Sequence, residues 1–361
     1  MSTGNWPRKT RPGTTLCACG AATAFFLGFL PLARAVEYTK HSNFQVVDSN
    51  GMSAYSGPIP LYLKGVVLNN PEDMLNGTPN YNSIPWDLGG QWQIFIQAVD
   101  GADWGGTCLW MGQNYGNLGF INDPADKYTN AQWTAQLLRL NYCGSETQPL
   151  RAGDLIEVYA RGTLWYAGKR NVNEQHMANG PYQFDITMLQ RGYGLPAPAQ
   201  INLADVRDAA NHEIFQATEN SAQPHTALAY DQVSGGEKYQ SQRVTLQNVR
   251  LKPGQAANWQ LGGKVMLTDA SGREFPLLLG LNPSLVQMTP PAGDFNVTGI
   301  FDQQSITSPT TMGIDGYQLW VMSPSDIVIV PEPSVWMMLA LVGISWAAVR
   351  RRRAGPALSP G

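Results

Sequence analysis

Apolar and polar residues alternate along much of the central chain. In Gln91-Trp92-Gln93-Ile94-Phe95-Ile96-Gln97-Ala98, Trp92, Ile94, Ile96 and Ala98 fall on one face, while Gln91, Gln93, Phe95 and Gln97 fall on the other. That two-residue period predicts a half-buried strand with a wet outer face. Leu61 to Leu68, interrupted by Gly65, Thr107 to Met111, Arg243 to Leu251, Lys264 to Leu267 and Phe275 to Leu279 predict further strands. One segment has a helical period instead. Thr129-Asn130-Ala131-Gln132 fits a capping box, and Trp133, Leu137 and Leu140 follow at helical spacing.

These segments fall into two comparable series. Each has an opening strand, a hairpin turned at Asp100-Gly101 or at Asp269 to Gly272, and an Ala-Gly-Asp entry to a fourth strand (Arg151 to Leu155, Pro291 to Phe295). Each ends on a strand opened by Tyr182-Gln183-Phe184 or Tyr317-Gln318-Leu319. Shared order over five strands and turns points to a tandem repeat. Five strands with a helix between the third and fourth is the order of an OB-fold, a small Greek-key barrel. The expected architecture is all-β, with two tandem OB-like five-stranded Greek-key barrels and one short helix in the first. The second repeat has no clear helix at that place, only Leu281 to Val286. The body resembles tandem OB-like domains of bacterial extracellular proteins, some of which stand beside secreted nucleases. The expected division is a signal peptide at 1–35, a first barrel at 36–198, a linker at 199–235, a second barrel at 236–329 and a terminal signal at 330–361. A short helix around Leu203 to Ala210 is expected within the linker.

The two ends follow another logic. Arg8, Lys9 and Arg11 precede an apolar stretch from Leu16 to Leu32, and Ala33-Arg34-Ala35 offers a small-x-small cleavage site, so residues 1–35 read as a secretory signal for the export machinery and signal peptidase. A membrane anchor is the alternative reading. At the other end, Pro331-Glu332-Pro333 precedes an uncharged segment, Val335 to Val349, and then Arg350-Arg351-Arg352-Arg353. A helix of this length spans about 22 Å, so it crosses a bilayer only with thinning or with snorkelling arginines. The arginines favour a cytoplasmic end. This tail resembles the PEP-CTERM sorting signal in all three of its parts, against the plainer reading of a tail anchor. The resemblance implies a transient membrane helix, processing by an exosortase near Pro331-Glu332-Pro333, and delivery to the cell surface or extracellular matrix of a Gram-negative, exopolysaccharide-producing bacterium.

Composition agrees with a packed β protein: 43% of residues are apolar, 10% aromatic and only 14% charged. The two ends hold eight of the 24 basic residues and one of the 27 acidic ones, leaving 16 and 26, a net of −10. That balance disfavours a general phosphate binder. Once Cys17 and Cys19 leave with the signal, Cys108 and Cys143 remain, and an oxidising compartment favours a disulfide between them over two buried thiols.

Candidate chemistry is sparse. His41, His176, His212 and His225 are scattered, and no catalytic or metal-binding motif occurs. Asp100 with Asp103, and Asp123 with Asp126, read as polar turns before calcium ligands, and Glu157 and Glu174 as solvated carboxylates. No cofactor is implied. In OB geometry the ligand face lies on the second and third strands and the loops joining strands 1–2 and 4–5. There Tyr81, Trp86, Trp165 and Tyr166 are candidates to stack on sugars or bases, with Lys169 and Arg170 to hold an acidic group, unless the rings merely cap the core. The matching loop of the second repeat, Ser305 to Gly316, has neither aromatic nor basic residues, so that repeat is expected to be structural. The expected function is a non-enzymatic surface or matrix protein that binds exopolysaccharide. An extracellular nucleic-acid binder and an accessory module of a secreted hydrolase are the alternatives. Intact mass of the protein from its native host is expected to show an end near residue 330; retention of Arg350 to Arg353 in every molecule would exclude processing there.

Overall fold

The structure, a computed structural model, describes residues 36–48, 50–81, 84–174, 182–215, 235–305 and 313–331. Of the expected terminal features, Ala33, Ala35, Glu332, Pro333 and Arg350, Arg351, Arg352 and Arg353 lie outside these residues, whereas Pro331 is described and exposed. Among the described residues no helix is long and apolar enough to cross a membrane. The described residues from Glu37 onward belong to one compact unit, and they are mostly β.

The first sheet contains β1 (Leu61–Val67), β2 (Gln91–Gln97), β3 (Gly106–Gly112), β4 (Leu155–Ala160), β5 (Thr163–Tyr166), β6 (Lys169–Glu174) and β7 (Phe184–Gln190), in the order β5-β6-β3-β2-β1-β4-β7. The second contains β8 (Ala199–Ile201), β9 (Arg243–Leu251), β10 (Lys264–Thr268), β11 (Glu274–Leu279), β12 (Phe295–Gln303), β13 (Tyr317–Val321) and β14 (Ile327–Ile329), in the order β14-β12-β13-β11-β10-β9-β8. A further ladder between β12 and β9 closes β9-β10-β11-β13-β12 into a five-stranded barrel. Among the described residues four α-helices accompany the sheets: α1 (His41–Phe44), α2 (Asn130–Asn141), α3 (Gly235–Tyr239) and α4 (Ser284–Gln287).

The expected repeat is visible in the pairing. The third strand of each series runs parallel to a later one, β3 to β6 and β11 to β13. A helix precedes each fourth strand, α2 before β4 and the one-turn α4 before β12. Each fourth strand has an antiparallel edge partner, β7 or β14. This corrects the sequence alignment at its last strand: the counterpart of Tyr317-Gln318-Leu319 is β6, and Phe184 opens the counterpart of β14. The sheets also have seven strands each instead of five. In the first, β6 takes β5 as its antiparallel neighbour and β4 takes β7, so no described ladder joins β6 to β4.

The α2 capping box forms as expected: Thr129 Oγ1 accepts from Gln132 N, while Gln132 Oε1 accepts from Thr129 N. The helix lays Trp133 and Leu140 on Trp92, Ile94, Leu109 and Val158, the inner face of the first sheet. The barrel core contains Val244, Leu267, Phe275, Leu277, Phe301 and Leu319. The stretch expected as a linker belongs partly to this core. β8 pairs in parallel with β9, and Ile201, Leu203, Val206 and Phe215 are buried there. Its expected helix is a single 3-10 turn, Leu203–Asp205.

The outer face of β2 is not wet. Phe95 is fully buried, and it forms a small cluster with Leu68, Met74, Cys108, Ile300 and Met322, in which the outer face of the barrel covers the first sheet. Backbone bonds cross this seam from Leu281 N to Asp73 O (2.8 Å) and from Ser305 N to Ala167 O (2.9 Å). At Gly106 the two chains approach so closely that a Cβ would sit 2.1 Å from Ser241 O.

The expected Cys108–Cys143 disulfide is absent; both are free thiols. On β3, Leu109 and Met111 face the core under α2, against which Cys143 packs, and Cys108 points the other way into the seam. The sheet itself separates the two sulfurs.

A buried carboxyl stands out in α3. Tyr317 donates its phenolic hydrogen to Glu237 Oε1 at 2.7 Å, while Glu237 Oε2 has no hydrogen-bond partner. Burial pushes this carboxyl up to about 8, with the Tyr317 hydrogen bond opposing part of the rise. A carboxyl raised in the fold gives its full stabilisation below its ordinary range near 4.5, and that contribution is lost as pH rises through about 8. Glu237→Gln is therefore expected to be more stable than the parent at pH 9, by an amount that holds down to about pH 8 and then shrinks at about 1.4 kcal/mol per pH unit toward pH 4.5. Urea denaturation across a pH series measures this; parallel curves would refute it.

Candidate functional site

The period of two that builds the strands also builds a cavity. On β2, Gln91 and Gln93 share the outer face of the first sheet; on β3, Cys108 and Trp110; on β6, Lys169, Asn171 and Asn173; on β5, Leu164 and Tyr166. Register places Gln93, Trp110 and Asn173 side by side across three strands. Facing them are Leu278 of β11, Asp302 of β12, and Gln318 and Trp320 of β13, on the outside of the barrel whose inside carries Leu277, Phe301 and Leu319. Between the two faces lies a cavity of about 400 Å³, rimmed by Leu75 and Leu88 from the β1–β2 connection and by Tyr115, Leu118 and Phe120 after β3. That volume falls in the range of small-molecule sites.

Its charges cancel. Lys169 and Asp302 form an ion pair with both side chains nearly inaccessible to solvent. Lys169 Nζ also donates to Gln303 O at 2.7 Å, and Asp302 Oδ2 accepts from Gln318 Nε2 (3.2 Å) and Trp320 Nε1 (3.1 Å). The remaining polar side chains are uncharged: the amides of Gln91, Gln93, Asn171, Asn173, Gln304 and Gln318, with the Tyr115 and Tyr166 phenols. Asn171 and Asn173 are 7% and 3% exposed, yet the Oδ1 atom of each is buried without a hydrogen-bond partner. An unsatisfied buried acceptor costs about 1–3 kcal/mol, and both oxygens are closed off from anything the size of a water molecule. Aromatic rings provide the apolar part: Trp110 tilts against Tyr115 at 5.9 Å and Phe120 stacks on Tyr166 at 5.6 Å. Burial pushes the Cys108 thiol far up, so it stays protonated and contributes bulk, not nucleophilicity.

Of the residues expected from sequence, Tyr166 and Lys169 line this cavity. Lys169 is buried and paired with Asp302, and does not stand ready for an acidic ligand. Arg170 points elsewhere, donating to Ser53 Oγ (3.0 Å) and Thr163 Oγ1 (2.7 Å) with its guanidinium over Phe44 and Tyr55. Tyr81 and Trp86 are exposed at 51% and 68%, Trp86 lying over Gly119. Trp165 lies against Gly313. None of these last four lines the cavity. Asp100 and Asp123 act as turn formers, accepting from Ala102 N and Ala125 N, whereas Asp103 accepts from the distant backbone of His41 and Ser42 at the start of α1. Among the described residues no cluster of three or more His, Cys, Asp or Glu side chains could hold a metal ion.

Sequence reasoning missed Gln91, Gln93, Trp110, Asn171, Asn173, Asp302, Gln318 and Trp320. The signal was present as amides at alternate positions, Gln-x-Gln on β2 and Lys-x-Asn-x-Asn on β6. Residues of the second series, Leu278, Asp302, Gln318 and Trp320, form the facing wall of the cavity.

Because Lys169 and Asp302 hold each other in a low-dielectric seam, removing one strands the other. Asp302→Ala is expected to cost about 3–5 kcal/mol in urea unfolding, and Lys169→Met combined with Asp302→Asn is expected to recover most of that loss. A small loss in Asp302→Ala, or additive losses in the double variant, would contradict the pairing.

No family model matches the chain, and no curated protein is significantly similar to it.

Proposed function

We propose that this protein is an exported, non-enzymatic surface or matrix protein that holds a neutral, hydroxyl-rich polysaccharide in the cavity between two OB-like modules. Support for the OB-like reading comes from the closed barrel order, first-second-third-fifth-fourth, with the third and fifth strands parallel and a helix before the fourth. The cavity lies where that architecture places its ligand, on the second and third strands of the first module and beside the loops joining strands 1–2 and 4–5.

One observation carries the choice of ligand. The lining combines aromatic faces with neutral amides, and its single cation is already neutralised. Sugar hydroxyls supply donors, and sugar C–H faces pack on aromatic rings. Phosphate demands free cations, and a net charge of −10 on residues 36–330 adds repulsion. Export and sorting rest on the terminal sequence: a cleavable leader, then Pro331-Glu332-Pro333, an apolar segment and four arginines as the handle for an exosortase, which would release the protein to the exopolysaccharide matrix of its host.

Calorimetric titration with neutral glycans, acidic glycans and single-stranded DNA at low and high salt tests the reading. Neutral glycan binding that persists at high salt, and that weakens about tenfold or more in Trp110→Ala and in Trp320→Ala, is expected. Binding confined to DNA and lost with salt would assign the cavity to nucleic acid instead.

A further inference from the structure

A second cavity, of about 340 Å³, adjoins the first, and Leu75 and Gln91 line both. It continues over the β1–β2 connection toward α2, bounded by Asn76, Thr78, Leu137 and Asn141. We infer that the two cavities are successive subsites of one groove, which holds an interior stretch of a neutral polysaccharide chain and not a single terminal sugar; this rests on the saccharide reading above.

The chemistry is continuous across the boundary. The side-chain amide of Gln91, half-buried between the cavities, has no hydrogen-bond partner among the described residues. In the second cavity, Asn141 Oδ1 accepts from Trp92 Nε1 at 2.8 Å, which fixes the amide and turns its nitrogen to other use. The one charged lining residue, Glu72, is paired with Arg151 at 2.9 Å. The connecting loop is held in place, since Gln91 N donates to Asn76 O (2.7 Å) and Trp133 Nε1 donates to Gly77 O (2.8 Å). Its wall is therefore a preformed surface, and ligand pays little ordering cost to use it. A pocket for one sugar would end at Gln91. Here amide groups and an apolar floor continue beyond it.

The host's own extracellular polysaccharide, partially hydrolysed and separated by length, is the probe, titrated into the full chain. Affinity is expected to rise at least tenfold from the shortest binding fragment to longer ones and then level off. Thr78→Trp, at an exposed position on the second cavity, is expected to abolish that gain and leave the affinity for the shortest fragments unchanged, with an unaltered urea midpoint showing an intact fold. Equal affinity at all lengths, or a Thr78→Trp variant that keeps the gain, would overturn the groove and leave the seam cavity standing. Failure of every fragment to bind would overturn the saccharide reading itself.

Discussion

The pairing of Lys169 with Asp302 is the constraint on which the arrangement of the two sheets depends. Both groups lie in a seam with little access to water, where a lone charge is costly and an ion pair roughly offsets its own desolvation. Apolar contacts such as Phe95 with Ile300 and Met322 supply adhesion, but they tolerate sliding. The ion pair does not. With Gln318, Trp320 and the Gln303 carbonyl completing its hydrogen bonds, it admits one register between β6 and β12.

In that register the two faces leave a cavity between them, lined by large apolar side chains interspersed with amides. β2 and β6 offer amides at alternate positions, and the barrel presents Gln318 and Asp302 in return. Close packing of these groups would leave more polar atoms without partners, and each carries a penalty. Large rings at Trp110, Tyr115, Phe120 and Trp320 prop it open while giving the ligand flat surfaces.

Much of the local structure was legible from the sequence. Period-two alternation located β1 to β3 and β9 to β11 within a residue or two, and Thr129 with Gln132 marked the start of α2. What escaped were features set by long-range contact. β6 carries Lys169, Asn171 and Asn173 on one face, which resembles a polar loop until the barrel covers it. The outer face of β2 looked solvated for the same reason. Ile201 and Phe215 sit among prolines and polar residues, so their burial against β9 left no local trace. Of the candidate site only Tyr166 and Lys169 were found, because strand order pointed to the right region; the amides of β2 and β6 and the barrel's side needed the tertiary fold.

The two cysteines have a broader consequence. With a β-sheet between them, neither sulfur is part of a covalent crosslink, and native stability carries no electron-transfer step. Among the described residues there is then no disulfide for a reductant to open. The oxidising compartment expected from the sequence therefore draws no support from this pair of thiols.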